Sequence, residues 1–333
     1  MRVLVTGPAG FLGGEIVRQL LERGDEVVGV SRGDYPALAS QGVDYRRGDL
    51  SDESFTLSAV RDVDVVVHTA AIAGVWGADE MFHRINTLAT QHVIEACKRN
   101  GISKLVFTSS PSVTFGGEDQ CDLDESASYP ERWLCAYPRT KAAAEKAVLD
   151  AHHAGSLHAC ALRPHLVWGE DDPHLLARVI DRAKTGKLKI VGDGNNLIDT
   201  VHVINAAGAH LDAIDALHRQ PDVAGGRAYF IAQDEPVNCW EWIQTICEAA
   251  NVDPPTKRVS FGVAYAAGAM LETVYGILGK TQEPPMTRFV AAQLAKHHYF
   301  DISAAKERLN YRVRISMADG LQRLKDAWAN QSN

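Results

Sequence analysis

The sequence lacks the cysteine and histidine patterns that build disulfide frameworks or metal sites. Its six cysteines include no C-x-x-C pair, and none partners histidines at zinc spacing. No H-E-x-x-H motif occurs. The adjacent pairs His152-His153 and His297-His298 would point in different directions on a helix, which suits surface or capping histidines. We therefore expect reduced thiols and no metal centre.

Basic residues are outnumbered by acidic ones, 34 against 42, and no lysine- or arginine-rich run occurs. The formal net charge of −8 repels phosphate backbones and anionic lipid headgroups, so nucleic acid is a poor candidate partner. At the N-terminus, residues 1–5 run directly into Thr6-Gly7 and leave no room for a signal peptide. These observations predict a cytoplasmic protein.

Only one long apolar stretch is present, at residues 261–279, and Glu272 interrupts it. A charge and four glycines make it a weak transmembrane candidate. A buried core helix remains one interpretation. The other is an amphipathic helix that lines an apolar substrate entrance or touches a membrane surface.

The first half of the chain alternates short β-branched runs with amphipathic stretches. This pattern predicts an α/β fold of the Rossmann type, a doubly wound parallel sheet with helices on both faces. The predicted strands cover residues 3–5, 26–30, 63–68, 104–108 and 159–163.

After Pro164 the alternation of predicted strands and helices ends. Residues 201–217 and 227–232 again suit a helix and a strand that rejoin the sheet. We therefore predict a dinucleotide-binding Rossmann domain from residues 1–165 plus 201–232. A smaller, discontinuous substrate-binding lobe would comprise residues 166–200 plus 233–333.

A glycine-rich turn, Gly7-Pro8-Ala9-Gly10-Phe11-Leu12-Gly13, follows the first predicted strand and opens a helix with an apolar face. Glycines permit a tight turn, bring backbone amides close to a pyrophosphate, and let the helix N-terminus face its negative charge. The position of this motif between strand and helix predicts dinucleotide binding.

The end of the second strand favours NADP(H) over NAD(H). An acidic residue there would bind a ribose 2′-hydroxyl, but this sequence has Ser31 and Arg32, which suit a 2′-phosphate. Nearby Asp34 weakens that preference, and a solvated surface charge is the alternative for Arg32. Asp49 lies at the end of a third predicted strand. It would accept a hydrogen bond from the adenine amino group, and the alternative is an ordinary aspartate in a turn.

Tyr137-Pro138-Arg139-Thr140-Lys141 suggests catalysis by a phenol. With Pro138 at the first helical position, Tyr137 would lie at the cap and Lys141 one turn later on the same face. Hydride addition to a carbonyl leaves an alkoxide that must be protonated, and a nearby ammonium would lower the pKa of the phenol. The pattern follows a serine-rich strand end, Thr108-Ser109-Ser110.

Together these motifs resemble the extended short-chain dehydrogenase/reductase family over nearly the whole chain. The residues that carry the resemblance are Gly7, Gly10, Gly13, Asp49, His68-Thr69-Ala70-Ala71, Asn86, Ser110, Tyr137, Lys141 and Arg163-Pro164. The resemblance implies that Tyr137 donates the proton, that Ser110 (or Ser109) hydrogen-bonds the substrate oxygen, and that Lys141 holds the nicotinamide ribose. Asn86 would order the lysine and a water. Without the resemblance, Asn86 suits a helix cap and the serines suit strand-end hydroxyls.

The complete set of residues expected at the cofactor shares the predicted strand ends and glycine turn. It comprises Gly7, Ala9, Gly10, Phe11, Leu12, Gly13, Ser31, Arg32, Asp49, Leu50, Thr69, Ala70, Ala71, Ser109, Tyr137, Lys141, Pro164 and Leu166.

The second half is similar to the 3β-hydroxysteroid dehydrogenase branch, through segments such as residues 162–169, 192–196 and 285–288. Within it the chain resembles bacterial reductases that use NADPH on the 3-keto group of a 2-alkyl-3-oxoalkanoic acid in olefin biosynthesis. The alternatives are a 3β-hydroxysteroid or sterol dehydrogenase using NAD(P), and a non-catalytic NADP-sensing protein, although the latter would typically lack the tyrosine or the lysine. Dehydration of nucleotide sugars is disfavoured, because Ser110-Pro111-Ser112 offers no acidic pair. A homodimer is expected.

Overall fold

The computed structural model describes residues 1–331 as an α/β structure. The strands are β1 Arg2–Thr6, β2 Glu26–Ser31, β3 Asp44–Arg47, β4 Val65–His68, β5 Lys104–Thr108, β6 Gln120–Leu123, β7 His158–Pro164, β8 Val167–Trp168, β9 Ile190–Val191, β10 Leu197–Ile198, β11 Val201–His202, β12 Ala228–Ile231, β13 Val237–Asn238, β14 Arg258–Val259 and β15 His298–Phe300.

Helices connect and cover these strands. The α-helices are α1 Phe11–Glu22, α2 Pro36–Ser40, α3 Glu53–Ala59, α4 Asp79–Phe82, α5 Ala89–Arg99, α6 Ala136–His153, α7 Leu175–Lys184, α8 Val203–Arg219, α9 Pro221–Ala224, α10 Cys239–Ala249, α11 Phe261–Ile277, α12 Arg288–Ala295 and α13 Met317–Gln331. Two π-helices, His83–Leu88 and Ala305–Leu309, and one 3-10 helix, Pro111–Thr114, complete the set in this part of the chain.

Seven parallel strands form the central sheet, in the order β3-β2-β1-β4-β5-β7-β12. The inner strands are continuous apolar runs because helices cover both faces of the sheet. The strand order reverses between β1 and β4, and a crevice is expected outside the carboxyl ends of the strands at such a point. The predicted Rossmann-type fold is confirmed.

Each face of the central sheet carries its own apolar cluster. On one face, Ile16 and Leu20 of α1 pack with Ile214 of α8. On the other, Val93 of α5 and Val148 of α6 pack against the sheet. Helices α5 and α6 therefore share one face of the central sheet.

A second group of elements lies beside this sheet. The four-stranded sheet has the order β13-β10-β15-β6, and β8 pairs with β11 and β9 with β14. The predicted helix and strand within residues 201–232 are present as α8 and β12, and β12 pairs with β7 in the central sheet. In contrast, β6 belongs by sequence to the predicted first domain but pairs with β15 in the smaller sheet. The division into two domains stays a prediction.

Helix α11 covers the long apolar stretch, and much of it faces solvent. Its buried residues are Ala264 and Gly268, whereas the side chains of Met270 and Ile277 are 62% and 81% exposed. The interpretation as a buried core helix is therefore wrong. Within residues 1–331, no helix combines the length and the apolar character that a membrane crossing requires.

Candidate active site

A cleft of about 520 Å³ lies at the carboxyl ends of the central strands. Sixteen of the eighteen residues expected at the cofactor line it: Gly7, Ala9, Gly10, Phe11, Leu12, Gly13, Ser31, Arg32, Asp49, Leu50, Thr69, Ala70, Ala71, Ser109, Tyr137 and Lys141. Pro164 and Leu166 do not line it. The sequence analysis missed the lining residues Val30, Gly33, Tyr35, Gly48, Ala73, Ile85, Ala89, Thr108, Val167, Asp172 and His174.

The glycine turn between β1 and α1 forms the floor of the cleft. Gly7 has a φ of +70°, a left-handed conformation that favours glycine. A Cβ at Gly13 would lie 2.1 Å from the carbonyl oxygen of Gly7, so a side chain there is excluded. Helix α1 begins at Phe11, and the first amides of a helix have no partner within it. This cradle fits the pyrophosphate of a dinucleotide.

Polar groups at the ends of β2 and β3 line the far end of the cleft. The guanidinium of Arg32 is exposed and has no hydrogen-bonding partner within residues 1–331. The hydroxyl of Ser31 lies 2.7 Å from that of Tyr45. Burial raises the pKa of Asp49, but hydrogen bonds from Ser51 and the charges of Arg32 and Arg84 lower it overall. Arg32 therefore offers a free positive charge beside an ionised carboxylate.

Helix α6 carries the candidate acid and lysine, and it begins earlier than predicted. Cys135 is the N-cap, so Tyr137 lies within the first turn and Pro138 is its third residue. The prediction that Tyr137 is the cap was wrong. Proline is tolerated at this point because the first amides of a helix have no intrahelical acceptor. Tyr137 and Lys141 still line the cleft together.

Lys141 is buried, with 2% of its surface exposed. Its Nζ donates to the carbonyl oxygen of Thr108 at 2.6 Å and lies 4.1 Å from the ring centroid of Phe107. Burial lowers the pKa of Lys141 to about 7, against the opposing charge of Glu145. The side chain thus has a mixed protonation state near neutral pH.

The phenol of Tyr137 is not acidified in this structure. Burial raises its pKa, and a hydrogen bond with Ser110 only partly opposes that effect. The expectation that the lysine lowers the pKa of Tyr137 is not met. The physical reason is that the ammonium group is directed at Thr108 and is itself partly neutralised by burial.

The two serines after β5 occupy different positions. Ser110 does not line the cleft; its Oγ lies 2.9 Å from that of Ser112, and its side chain partly opposes the rise in the pKa of Tyr137. Ser109 lines the cleft, and its buried Oγ has no partner within residues 1–331. Ser110 is therefore placed to act through the phenol, and Ser109 offers a free hydroxyl to a ligand.

Asn86 is buried in the π-helix His83–Leu88 and does not line the cleft. Its Oδ1 accepts from the amide of Ile72 at 2.8 Å, and its Nδ2 donates to the Ile72 carbonyl and to Oγ1 of Thr140. No hydrogen bond joins Asn86 to Lys141 within the described residues. Asn86 therefore positions the neighbour of the lysine rather than the lysine itself.

His68 joins the end of β1 to this asparagine. Oγ1 of Thr6 accepts from two backbone amides at 3.0 Å, so its own proton goes to Nδ1 of His68 at 2.8 Å. Nε2 of His68 then donates to Oγ1 of Thr90, which donates to the Asn86 carbonyl. Burial, with the charge of Lys141, lowers the pKa of His68 to about 3, so this histidine is neutral.

A buried ion pair lies one helical turn beyond Lys141, and sequence reasoning missed it. Arg163 donates two hydrogen bonds to Glu145, at 2.9 and 2.6 Å, and Tyr129 donates a third at 2.7 Å. The guanidinium lies 5.0 Å from the ring centroid of Phe230. The only sign of this ion pair in the sequence is that Glu145 lies four residues after Lys141 on the same helix.

The histidines form no metal site. Across residues 1–331, no group of three or more histidine, cysteine or acidic residues is arranged to hold a metal ion. The expectation of surface or capping histidines was wrong for His298, which is buried. Its Nδ1 lies 2.7 Å from Nε2 of His165, and burial lowers its pKa to about 4.

The chain is similar to known proteins over nearly its whole length. Residues 4–261 match the 3-beta hydroxysteroid dehydrogenase/isomerase family. A 2-alkyl-3-oxoalkanoate reductase of Shewanella oneidensis is 45% identical over 96% of this chain and 84% of its own. The mouse (Mus musculus) sterol-4-alpha-carboxylate 3-dehydrogenase, decarboxylating, is 33% identical over 96% of this chain and 88% of its own.

Solved structures share the fold. MoeE5 in complex with UDP-glucuronic acid and NAD superposes with a TM-score of 0.76, at 27% identity over 100% of both chains. The Thermus thermophilus UDP-glucose 4-epimerase complex with NAD superposes with a TM-score of 0.74, at 25% identity over 99% of both chains. From its sequence match and its cleft, the chain belongs to the 3-beta hydroxysteroid dehydrogenase/isomerase family and is an NAD(P)-dependent oxidoreductase.

Proposed function

We propose that the protein uses NADPH to reduce the 3-keto group of a 2-alkyl-3-oxoalkanoic acid to the 3-hydroxy acid. One observation carries this proposal: Tyr137 and Lys141 line the same cleft as the glycine turn that fits a pyrophosphate. An acid, a cation and a dinucleotide cradle are the groups that carbonyl reduction requires.

The bound cofactor would supply the hydride. Tyr137 would donate its proton to the oxygen of the former carbonyl, and its hydrogen bond with Ser110 favours the phenolate left behind. Lys141 would hold the nicotinamide ribose. Asn86 orients Thr140 and thereby the turn of α6 that carries both groups.

Arg32 supports NADPH rather than NADH. A 2′-phosphate would meet a permanently charged guanidinium that makes no hydrogen bond within the described residues and shares its charge only with the nearby carboxylate of Asp49. Asp34 lies 3.9 Å from Arg47 and so has a cation of its own. The electrostatic repulsion between Asp34 and a 2′-phosphate at Arg32 is thereby reduced.

The choice of substrate follows the relatives. Two bacterial relatives named 2-alkyl-3-oxoalkanoate reductase, from Shewanella oneidensis and Stenotrophomonas maltophilia, are 45% and 42% identical. The sterol-4-alpha-carboxylate 3-dehydrogenase of Mus musculus is 33% identical. Sterol dehydrogenation is therefore the second candidate activity, and it would use the same Tyr137 and Lys141 of this chain.

Purified protein tests the two candidates directly. We expect loss of NADPH absorbance to be faster with a 2-alkyl-3-keto acid than with a 3-ketosteroid, and Tyr137→Phe serves as the blank for both. Faster turnover of the steroid would overturn the keto-acid assignment. Equal rates in the wild type and in Tyr137→Phe would overturn catalysis at this cleft.

The exposed row on α11 supports two further parts of the proposal. Val263, Met270, Val274 and Ile277 present apolar surface, which suits contact with a lipid surface or with a second copy of the chain in a homodimer. Co-sedimentation with phosphatidylcholine vesicles tests the lipid contact. The molecular mass in solution tests the dimer.

A further inference from the structure

A second cavity, of about 170 Å³, lies between α7, α10 and α12, with β10 and β15 beneath them. We call it the chamber. Its walls are formed by Leu166, Leu175, Arg178, Val179, Arg182, Leu188, Ile198, Cys239, Trp242, Ile243, Val290, Gln293, Leu294 and His298.

The chamber offers almost no polar group to a ligand. Arg178 is paired with Glu283, and Nε2 of His298 is bonded to the carbonyl oxygen of Gln293 at 2.8 Å. The guanidinium of Arg182 makes no hydrogen bond within residues 1–331, and its nearby counter-charges are those of Glu283 and Asp181, while its methylenes line apolar space. The side chains of Leu175, Val179 and Ile243 and the ring of Trp242 therefore define the chemistry of this space.

The chamber and the catalytic cleft share a wall. Leu166 lines the chamber and Val167 lines the cleft, and in the same way Leu175 lines the chamber and His174 the cleft. Leu166 has a φ of +42°, a left-handed conformation that is unusual for a branched side chain and is held by the surrounding structure. The same two chain segments therefore border both spaces.

We propose that the chamber takes one alkyl chain of the substrate, which enters past Leu166 from the cleft that holds Tyr137. This inference rests on the proposed function. The volume is below the roughly 300 Å³ at which pockets for drug-sized ligands begin, so the space suits a flexible chain better than fused rings. At about 30 Å³ for a group the size of a water molecule, it holds a segment of about six carbons.

A chain-length series tests the chamber in the active enzyme. With keto acids of increasing chain length, kcat/KM should rise by about four-fold per methylene until the chamber is full and then level off. Val179→Phe should move that plateau to shorter chains. Ile180→Phe, on the next residue of α7 and outside the chamber lining, should keep the wild-type profile. Identical profiles in the two variants, with NADPH binding intact in both, would overturn the proposal.

A second measurement does not depend on turnover. A fatty acid brominated near its methyl end should quench the fluorescence of Trp242, which lines the chamber. We expect Trp242→Phe to remove most of the quenching, Val179→Phe to weaken it, and Arg182→Gln to leave it unchanged. Quenching equal in wild type and Val179→Phe would overturn the chamber. Loss of quenching in Arg182→Gln would also overturn the proposal, because Arg182 would then hold the fatty acid by its carboxylate rather than the chamber holding its alkyl chain. If no keto acid is reduced yet these quenching results hold, the proposed function fails and the chamber stands.

Discussion

Nζ of Lys141 donates to the carbonyl oxygen of Thr108 at 2.6 Å, which joins the catalytic helix α6 to the end of β5. The bond gives a buried ammonium a partner, but it is not a counter-charge. Glu145, one turn further along α6, supplies negative charge, and burial still lowers the pKa of Lys141 to about 7. The lysine therefore titrates in the range where the enzyme would work.

This titration predicts proton uptake when NADPH binds. At pH 8 the lysine of the free enzyme is mostly neutral, and ribose hydroxyls that accept from its Nζ, together with the charged pyrophosphate in the same cleft, favour the ammonium form. We expect uptake of a proton at pH 8 and little at pH 6, where the lysine is already charged. Calorimetry in two buffers with different ionisation enthalpies measures it.

Lys141→Met is the matched control, since it keeps an apolar stem without the titrating group. It should bind NADPH more weakly and without the pH-dependent uptake. The same uptake in the variant and in the wild type would assign the proton to another group.

Replacing the candidate acid should separate binding from chemistry. In Tyr137→Phe the ring that lines the cleft remains, so we expect NADPH affinity within a factor of about two and kcat lower by about 10²–10⁴-fold. Steady-state kinetics and fluorescence titration with NADPH measure the two effects. Tyr129→Phe, which removes a hydroxyl that bonds Glu145 outside the cleft, controls for loss of a buried phenol. Equal falls in kcat in both variants would contradict the acid role.

Arg32 is expected to set the cofactor preference. Arg32→Ala should weaken NADPH binding by about 1.5–3 kcal/mol, the contribution of hydrogen bonds to a charged group, and leave NADH binding nearly unchanged. Arg99→Ala is the matched control, because Arg99 is an exposed guanidinium, paired with Glu53, that does not line the cleft. Equal losses for NADPH and NADH in Arg32→Ala would show that no 2′-phosphate is recognised there.

The parts of the fold that depend on local pattern were predictable. The run of residues 104–108 is both the predicted and the observed strand. The glycine turn could be recognised from its own residues and from the strand and helix on either side of it. Strand Ala228–Ile231 was also predicted, because a short apolar run between turns suits a buried strand. Local pattern failed at Tyr137, where proline suggested the wrong first residue of the helix.

The parts that depend on long-range packing were not predictable from one sequence. Asp172 and His174 reach the cleft from beyond β7, and no local motif marks them. The depressed pKa of Lys141 reflects its burial, which the spacing to Tyr137 does not reveal. His298 is buried because the smaller sheet places it against His165, more than a hundred residues earlier.

The Arg163–Glu145 pair allows a stability test next to the site. The two side chains are 4% and 0% exposed, so Arg163→Met would leave a carboxylate buried without its cation. Breaking such a pair from one side costs about 3–5 kcal/mol. Urea unfolding should show a loss of this size, whereas Arg18→Met, which removes the exposed partner of Glu15, should cost less than about 1 kcal/mol.

The double variant Arg163→Met/Glu145→Leu distinguishes a lost ion pair from lost packing. With both charges gone, the unpaired carboxylate disappears, and part of the stability should return. Recovery should be incomplete, because the hydroxyl of Tyr129 then lacks its acceptor, at a cost of about 1–3 kcal/mol. A double variant no more stable than Arg163→Met would show that the guanidinium acts mainly through its contact with the ring of Phe230. Loss of Glu145 also removes a charge that raises the pKa of Lys141, so the proton uptake on binding NADPH should begin at lower pH in this variant.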